Sequence, residues 1–294
     1  MATGLSQITD NTRLHFDIYA ILEGSQELYL GHEVQVNVNM VEVVKLSTRD
    51  GQSLEKCYIS PTKRRGVERR CLIWAPHKDG TLLGDKLKCG IPATCAEIEC
   101  PICSVFGGLE AGKKTLIGRV SHGGGVAIQN IDPEEKQRAM HPSRMASPKS
   151  GKDETPIPFK RQYNQPGILY PVSNHGLSIT DQDFAAVAYA FLDALPRIGS
   201  GNPKGVAIAE NPETNQPLLV VDRYLVPRGK RPVISPSVTD PEIAVNDFIR
   251  LSQIPEHEGE HHVELNHFER WSGDAALTKL QDYSSTFVDN VLQK

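Results

Sequence analysis

No stretch of this chain approaches ~18 uninterrupted apolar residues, and its opening, Met1 to Asp10, holds no basic segment leading into an apolar one. Those absences argue against a helical membrane anchor or an export signal, and the expectation is a cytoplasmic protein with no membrane partner. Without export, the six cysteines do not read as disulfides; metal ligation or plain burial suits them better. There is no Walker-type phosphate loop and no Gly-x-Ser-x-Gly elbow, which removes the commonest nucleotide-hydrolysing and serine-hydrolase signatures. Internal repeats are also lacking, and so is any overall surplus of positive charge: the net charge is −4. What is present is 294 residues with 39% apolar content, enough to bury a substantial core.

The mean charge hides a polarity. From Lys45 to Lys88 there are 11 Lys/Arg against 5 Asp/Glu, and from Asp240 to Lys294 there are 4 against 11. A chain with one basic and one acidic end is suited to docking head to tail on its own copies while the basic part faces a polyanion, although solvated faces also produce such a pattern.

Leu14, Phe16, Ile18, Ala20 and Leu22 alternate with polar residues, which predicts a half-buried strand. The β-branched run Glu33 to Leu46 predicts a second, paired ribbon. Pro61, beside Ser60 and Thr62, predicts a helix start leading through Lys63 to Cys71. Thr180 with Asp183 caps an apolar 3.6-period stretch through Phe184, Val187, Ala188, Phe191, Leu192 and Leu195, the clearest helix in the sequence. Strand-like runs follow at Val206–Ala209 and Leu218–Val226, and Ala275–Leu292 reads as a closing amphipathic helix. This alternation predicts an α+β chain with an RRM/ferredoxin-like core, a single domain over residues 1–294. Two large insertions interrupt it: a Cys/Gly-rich one at about 79–125, and a polar, thumb-like one at about 132–176 that has too few apolar residues to pack alone.

Two segments carry binding chemistry. Lys63-Arg64-Arg65-Gly66-Val67-Glu68-Arg69-Arg70 places five cations in eight residues, with Lys63, Arg70 and Val67 or Gly66 on one helix face; the plain alternative is a solvated basic helix. Cys89, Cys95, Cys100 and Cys103 lie within 15 residues, the last two as a Cys-x₂-Cys pair, and predict one closed structural zinc site, with four reduced thiols as the alternative.

Tyr58-Ile59-Ser60-Pro61 with Arg65-Gly66-Val67 and Arg69-Arg70, then Cys100-Pro101-Ile102-Cys103-Ser104-Val105-Phe106-Gly107-Gly108, then the glycine-rich Leu195–Gly205, resemble in that order the RAMP superfamily and its guide-RNA backbone subunits of class 1 CRISPR effector complexes. Within that superfamily the type I-D backbone subunit is the nearest likeness, with type IV and type III relatives next. The resemblance implies a chain that binds guide RNA without sequence preference and presents it for pairing with a target nucleic acid. It also implies that the chain oligomerises along the guide with copies of itself and other effector subunits, and that it is not an enzyme. It designates Lys63, Arg64, Arg65, Arg69 and Arg70 as RNA-contacting, with Ser200, Gly201, Asn202 and Lys204 from the glycine-rich turn, where backbone N–H groups can approach phosphates. His122-Gly123-Gly124-Gly125 is expected as a flexible turn near the groove with His122 in contact with RNA, and Lys149, Lys152, Lys160, Arg161 and Tyr163 as a clasp on the single strand.

Hydrolase readings stand against this one. His257-Glu258-Gly259-Glu260-His261 formally matches the zincin pattern, but Pro255, an internal glycine and acidic flanks make an exposed acidic loop the better expectation. A metal-dependent ribonuclease of the type III kind would need a loop aspartate, for which Asp50 and Asp79 qualify by nothing but proximity to the basic segments.

Overall fold

The computed structural model describes residues 13–28, 30–35, 38–47, 51, 53–130, 134–140, 157–199, 205–225, 234, 240–253 and 268–294; at 31–39, 134–140 and 157–161 only backbone is described. In chain order the elements are β1 (Leu14–Gly24), β2 (Gly31–Gln35), β3 (Val38–Val41), β4 (Val43–Ser47), β5 (Ser53–Cys57), α1 (Pro61–Ile73), α2 (Leu83–Lys86), α3 (Pro101–Phe106), β6 (Gly108–Glu110), β7 (Lys114–Leu116) and β8 (Val120–Gly124). Next come β9 (Glu134–Met140), β10 (Ile157–Tyr163), β11 (Leu169–Ile179), α4 (Asp181–Ala194), β12 (Val206–Ile208), β13 (Leu219–Tyr224), α5 (Pro241–Ser252), β14 (Phe268–Ser272) and α6 (Asp274–Phe287). A wider turn, Val288–Leu292, extends α6.

The main sheet runs β14-β13-β1-β11-β8, antiparallel throughout, with β12 paired to the end of β1. Without the insertions, the chain path is β1-α1-β8-β11-α4-β13. The strand order β13-β1-β11-β8 is that of two interleaved split β-α-β units, the ferredoxin-like arrangement. The α+β expectation with an RRM/ferredoxin-like core is therefore met. β14 and α6 extend the far edge.

β1 is central because both of its faces are apolar or internally paired. Leu14, Phe16, Ile18, Ala20 and Leu22 join the larger core with Phe184, Val187 and Phe191 of α4 and Leu280 and Phe287 of α6. Phe16 stacks on Phe184 at 4.3 Å, with Tyr283 edge-on to both. The opposite face, Tyr19 and Ile21, packs with Val220, Ile234 and Phe248 of α5, so β1 is buried on both sides rather than half-buried. On that second face a polar row crosses four strands: His175, Asp17, Asp222 and Arg270 are register partners in turn. Tyr19 and Tyr224 hydroxyls donate to Asp17 Oδ2 at 3.0 and 2.8 Å, and Arg270 grips both oxygens of Asp222 at 2.7 and 2.6 Å. Burial pushes the Asp222 carboxyl above its ordinary range against the pull of Arg270. Hydrogen-bonded pairing of this kind is what allows carboxylates inside a core.

α4 begins where the sequence places it, with Thr180 and Asp183 forming a reciprocal capping box. The insertions differ in part from expectation. Residues 134–140 and 157–163 of the thumb-like segment form paired strands, and β10 also pairs, in parallel, with β3 of the ribbon between β1 and α1, giving a second sheet ordered β2-β3-β10-β9. β11 is a core strand from Leu169 onward, so this insertion closes before residue 169 and not at 176. His122–Gly124 is no flexible turn but part of edge strand β8. A Cβ at Gly124 or Gly125 would lie 2.3 Å from the Pro171 carbonyl oxygen or 2.1 Å from that of Ile59, so backbone approaches backbone where only glycine fits. Among the described residues no helix is long and apolar enough to cross a membrane.

Candidate nucleic-acid interface and metal centre

α1 crosses the β8 side of the sheet, and its run of cations divides by face. Arg64, Glu68, Cys71 and Leu72 form the inward stripe and are buried. Arg64 donates to Asn174 Oδ1 at 3.0 Å and to the carbonyls of Gly123 and Ser173 at 2.7 and 2.9 Å. Glu68 accepts from Asn174 Nδ2 at 2.8 Å and pairs with His122 Nε2 at 2.8 Å. The side chains of Arg64 and His122 are each 1% exposed. Both were expected to contact RNA; both instead hold α1 onto β8 and β11, because Glu68 and three backbone or amide oxygens make a buried seat for the guanidinium. Burial depresses Arg64 from its usual range, and Glu68 opposes that shift.

The outward face carries the remaining cations in two groups. Thr62, Lys63, Gly66, Val67 and Arg70 line one wall of a cleft of about 260 Å³ whose other wall is Arg197, Ile198 and Gly199. The basic helix and the entrance to the glycine-rich turn therefore share one furrow, with Lys63, Gly66, Val67 and Arg70 on the single face that the helical spacing predicts. Lys63 is held by Glu42 Oε2 at 2.5 Å and by the Leu30 carbonyl at 3.0 Å, and Arg197 by Asp193 Oδ1 at 2.5 Å. Among the described residues Arg70 has no ion-pair partner. The turn is pinned at both ends: Gly199, at φ +91°, lies against Leu28, and Gly205, at φ +68°, lies against Pro196, where a Cβ would sit 2.7 Å from its Cα. Ser200, Gly201, Asn202 and Lys204 themselves lie outside the described residues, as do Lys149, Lys152, Asp50 and the acidic segment 257–261.

Arg65 and Arg69, one turn apart, face the other way, toward the cysteine-rich segment. They line a cleft of about 730 Å³ with Thr94, Gly107, Gly108, Leu109, Ile117 and Gly118. Arg65 donates to the Phe106 carbonyl, and the Arg69 charge beside it adds to the burial that lowers Arg65. Nε and Nη2 of Arg69 are buried without a hydrogen-bond partner among the described residues. Lys160 and Arg161 lie on β10, which pairs with β3 and β9; their side chains lie outside what is described. Tyr163 is buried. Asp79 is exposed, bonded to the Thr81 amide and hydroxyl at 2.9 and 2.6 Å and paired with His77.

The four cysteines of the insertion converge. Cys89 follows α2, Cys95 lies in the loop beyond, Cys100 caps α3 and Cys103 lies within α3. Their sulfurs are all within 4.8 Å of one another, with Cys103 at 3.4 Å from Cys89 and 3.7 Å from Cys95. A tetrahedral zinc with its usual sulfur bond length puts ligand sulfurs about 3.8 Å apart, so the set fits that ion. All four are free thiols, and three are buried. Gly108 makes room for the cluster, since a Cβ there would lie 2.8 Å from Cys103 Sγ. Cys89 is brought down to about 5, chiefly by the hydrogen bond from Cys100, while Cys103 is pushed up to about 12 by burial and Cys100 is also raised. Bound zinc would hold these cysteines as thiolates, since a coordinating thiol is deprotonated. Cys57 and Cys71 are buried elsewhere, raised by burial to about 11 and about 12.

Sequence reasoning missed Arg197 and the buried Glu68–Asn174 pair. The i, i+4 spacing of Arg64 and Glu68, continued by Cys71 and Leu72, was the available sign of an inward stripe.

No family model matches the chain, and no curated protein matches it. Among solved structures it is similar to Csc2 of Thermofilum pendens, at 16% identity and a TM-score of 0.41, over 67% of this chain and 64% of that one. The match thus spans less than two thirds of that protein's length.

Proposed function

We propose that this chain is a guide-RNA-binding backbone subunit of a multi-subunit CRISPR effector complex, gripping the ribose-phosphate strand irrespective of base and cleaving nothing. The observation that carries the reading is the furrow between α1 and the start of the glycine-rich turn, which joins Lys63, Arg70 and Arg197 to Ile198 and Gly199. Two sequence segments more than a hundred residues apart, each singled out by the same family resemblance, form its two walls. Positive charge and accessible backbone amides bind phosphates without reading sequence. Arg65 and Arg69 extend the positive surface on the other flank of α1. The cysteine cluster takes a structural zinc ion in this reading, fixing the segment that carries the second cleft.

The test is binding of a single-stranded RNA of mixed sequence at several salt concentrations. The reading predicts affinity that falls steeply with salt and varies little with sequence, and loses at least 10-fold when Arg69 and Arg70 become Glu. Unaltered binding by that variant would overturn it. Incubation of the assembly with complementary RNA and Mg²⁺ should leave the strand intact; regularly spaced cuts would replace the non-catalytic reading with the ribonuclease one.

A further inference from the structure

α1 ends in an aromatic ring that the fold leaves outside. Trp74 is the C-cap residue of α1 and is 59% exposed, although an indole is among the groups with most to gain from burial. It lies at a cleft of about 450 Å³ lined also by Arg70, Cys71, Pro76, Asp193 and Arg197. Val67, Arg70 and Arg197 line both this cleft and the furrow beside Lys63, so the two are consecutive stretches of one trough along α1. From Lys63 to Trp74 the helix rises about 16 Å. Cations occupy the start and middle of that length, and an indole closes it.

We propose that Trp74 is a stacking platform for one unpaired base of the bound RNA, an inference that rests on the function proposed above. A single strand whose phosphates follow Lys63, Arg70 and Arg197 has bases that need an apolar face, and every base offers one. The ring shares its cleft with Val67, Ala75, Pro76 and Tyr189 as well as with two guanidiniums and a carboxylate, so an apolar face and polar edge groups meet there, the pairing that a nucleobase offers and a purely apolar protein surface does not. Asp193 supplies edge chemistry. Its carboxylate already accepts from Arg197 and from the Cys71 thiol, and its remaining lone pairs suit the N–H donors on the edge of a base. Arg197 is thereby held across the trough, where its planar guanidinium also favours a flat ligand.

The chain has two tryptophans, so a Trp271→Phe background leaves Trp74 as the sole indole reporter. Titrating that protein with a 12-nucleotide RNA and with an abasic ribose-phosphate strand of equal length separates base from backbone. The proposal predicts that RNA quenches Trp74 emission and binds about 10-fold more tightly than the abasic strand. Trp74→Ala should abolish that advantage without altering abasic affinity, and Trp74→Phe should keep most of it. Equal RNA affinity for wild type and Trp74→Ala would overturn the stacking role and leave the backbone-binding reading standing. Binding of neither strand by wild type would overturn both. If Trp74→Ala converts a self-associated protein to monomer at unchanged RNA affinity, the indole is a contact between copies and the proposal fails.

Discussion

Arg64 and Arg70 sit six positions apart in one run of charge and do opposite work. Arg64 is enclosed with Glu68, Asn174 and His122, and its loss would remove the guanidinium that faces buried Glu68 and strip Asn174 Oδ1 and the Gly123 and Ser173 carbonyls of their donor. Arg64→Met should destabilise the protein by about 3–5 kcal/mol, read as a lower midpoint in urea unfolding, because breaking one side of a buried pair strands the other. Arg70→Met should shift that midpoint by about 0.5 kcal/mol or less. A similar midpoint for both variants would show that Arg64 is not the anchor described. Glu42 poses a different question. It neutralises Lys63 at the mouth of the furrow, so Glu42→Gln should raise RNA affinity about 2- to 5-fold, the worth of a partly exposed ion pair; an unchanged or weaker affinity in a filter-binding or anisotropy titration would contradict it. The cation cluster was legible in the sequence, because composition alone reveals it. Which cations turn inward was less so, since that depends on Asn174 and His122, brought up by strands more than fifty residues away.

Among the elements, the cysteine-rich insertion is the one whose order should depend on a bound ion. Its α2 and α3 are anchored to the main core by Leu83, Ile102, Val105 and Phe106, while the loops between them and the β6–β7 hairpin gather around the four sulfurs. Metal analysis of purified protein should find one zinc per chain. Chelation, or Cys103→Ser, should raise amide hydrogen exchange across residues 89–118 while the main sheet stays protected. Metal-free protein with unchanged exchange would remove the zinc reading. The sulfur spacing made the cluster readable in advance, as the reciprocal cap did for α4. The thumb-like insertion was read less well. Its polar sequence has too few apolar residues for a core, yet residues 134–140 and 157–163 form a sheet by pairing with each other and with β3 of the ribbon between β1 and α1. Such non-local pairing leaves little trace in a local pattern. The three glycines after His122 misled for a related reason: their value lies in close approach to Pro171 and Ile59, not in freedom to bend.

At the scale of the whole molecule, the alternation of strands and helices was enough to give the ferredoxin-like core. The two insertions were legible from composition, though not the strand pairing of the second one, and a core tolerates such lengths because loop-closure entropy grows slowly. The helix α1 presents Lys63 and Arg70 to a cleft shared with Arg197–Gly199, and Arg65 and Arg69 to a cleft shared with the cysteine-rich insertion. The acidic stretch from Asp240 onward gives the chain its opposite pole. The account turns on whether the furrow beside the glycine-rich turn holds the phosphate backbone. The most direct measurement is the salt dependence of RNA affinity for wild type and for Lys63→Glu/Arg70→Glu. Each lost phosphate contact should reduce the slope of log affinity against log salt by about 0.7 for a single strand. The account predicts a shallower slope and a loss of affinity of at least 10-fold, the same for strands of different sequence. A variant that binds as wild type does, with the same slope, would contradict it.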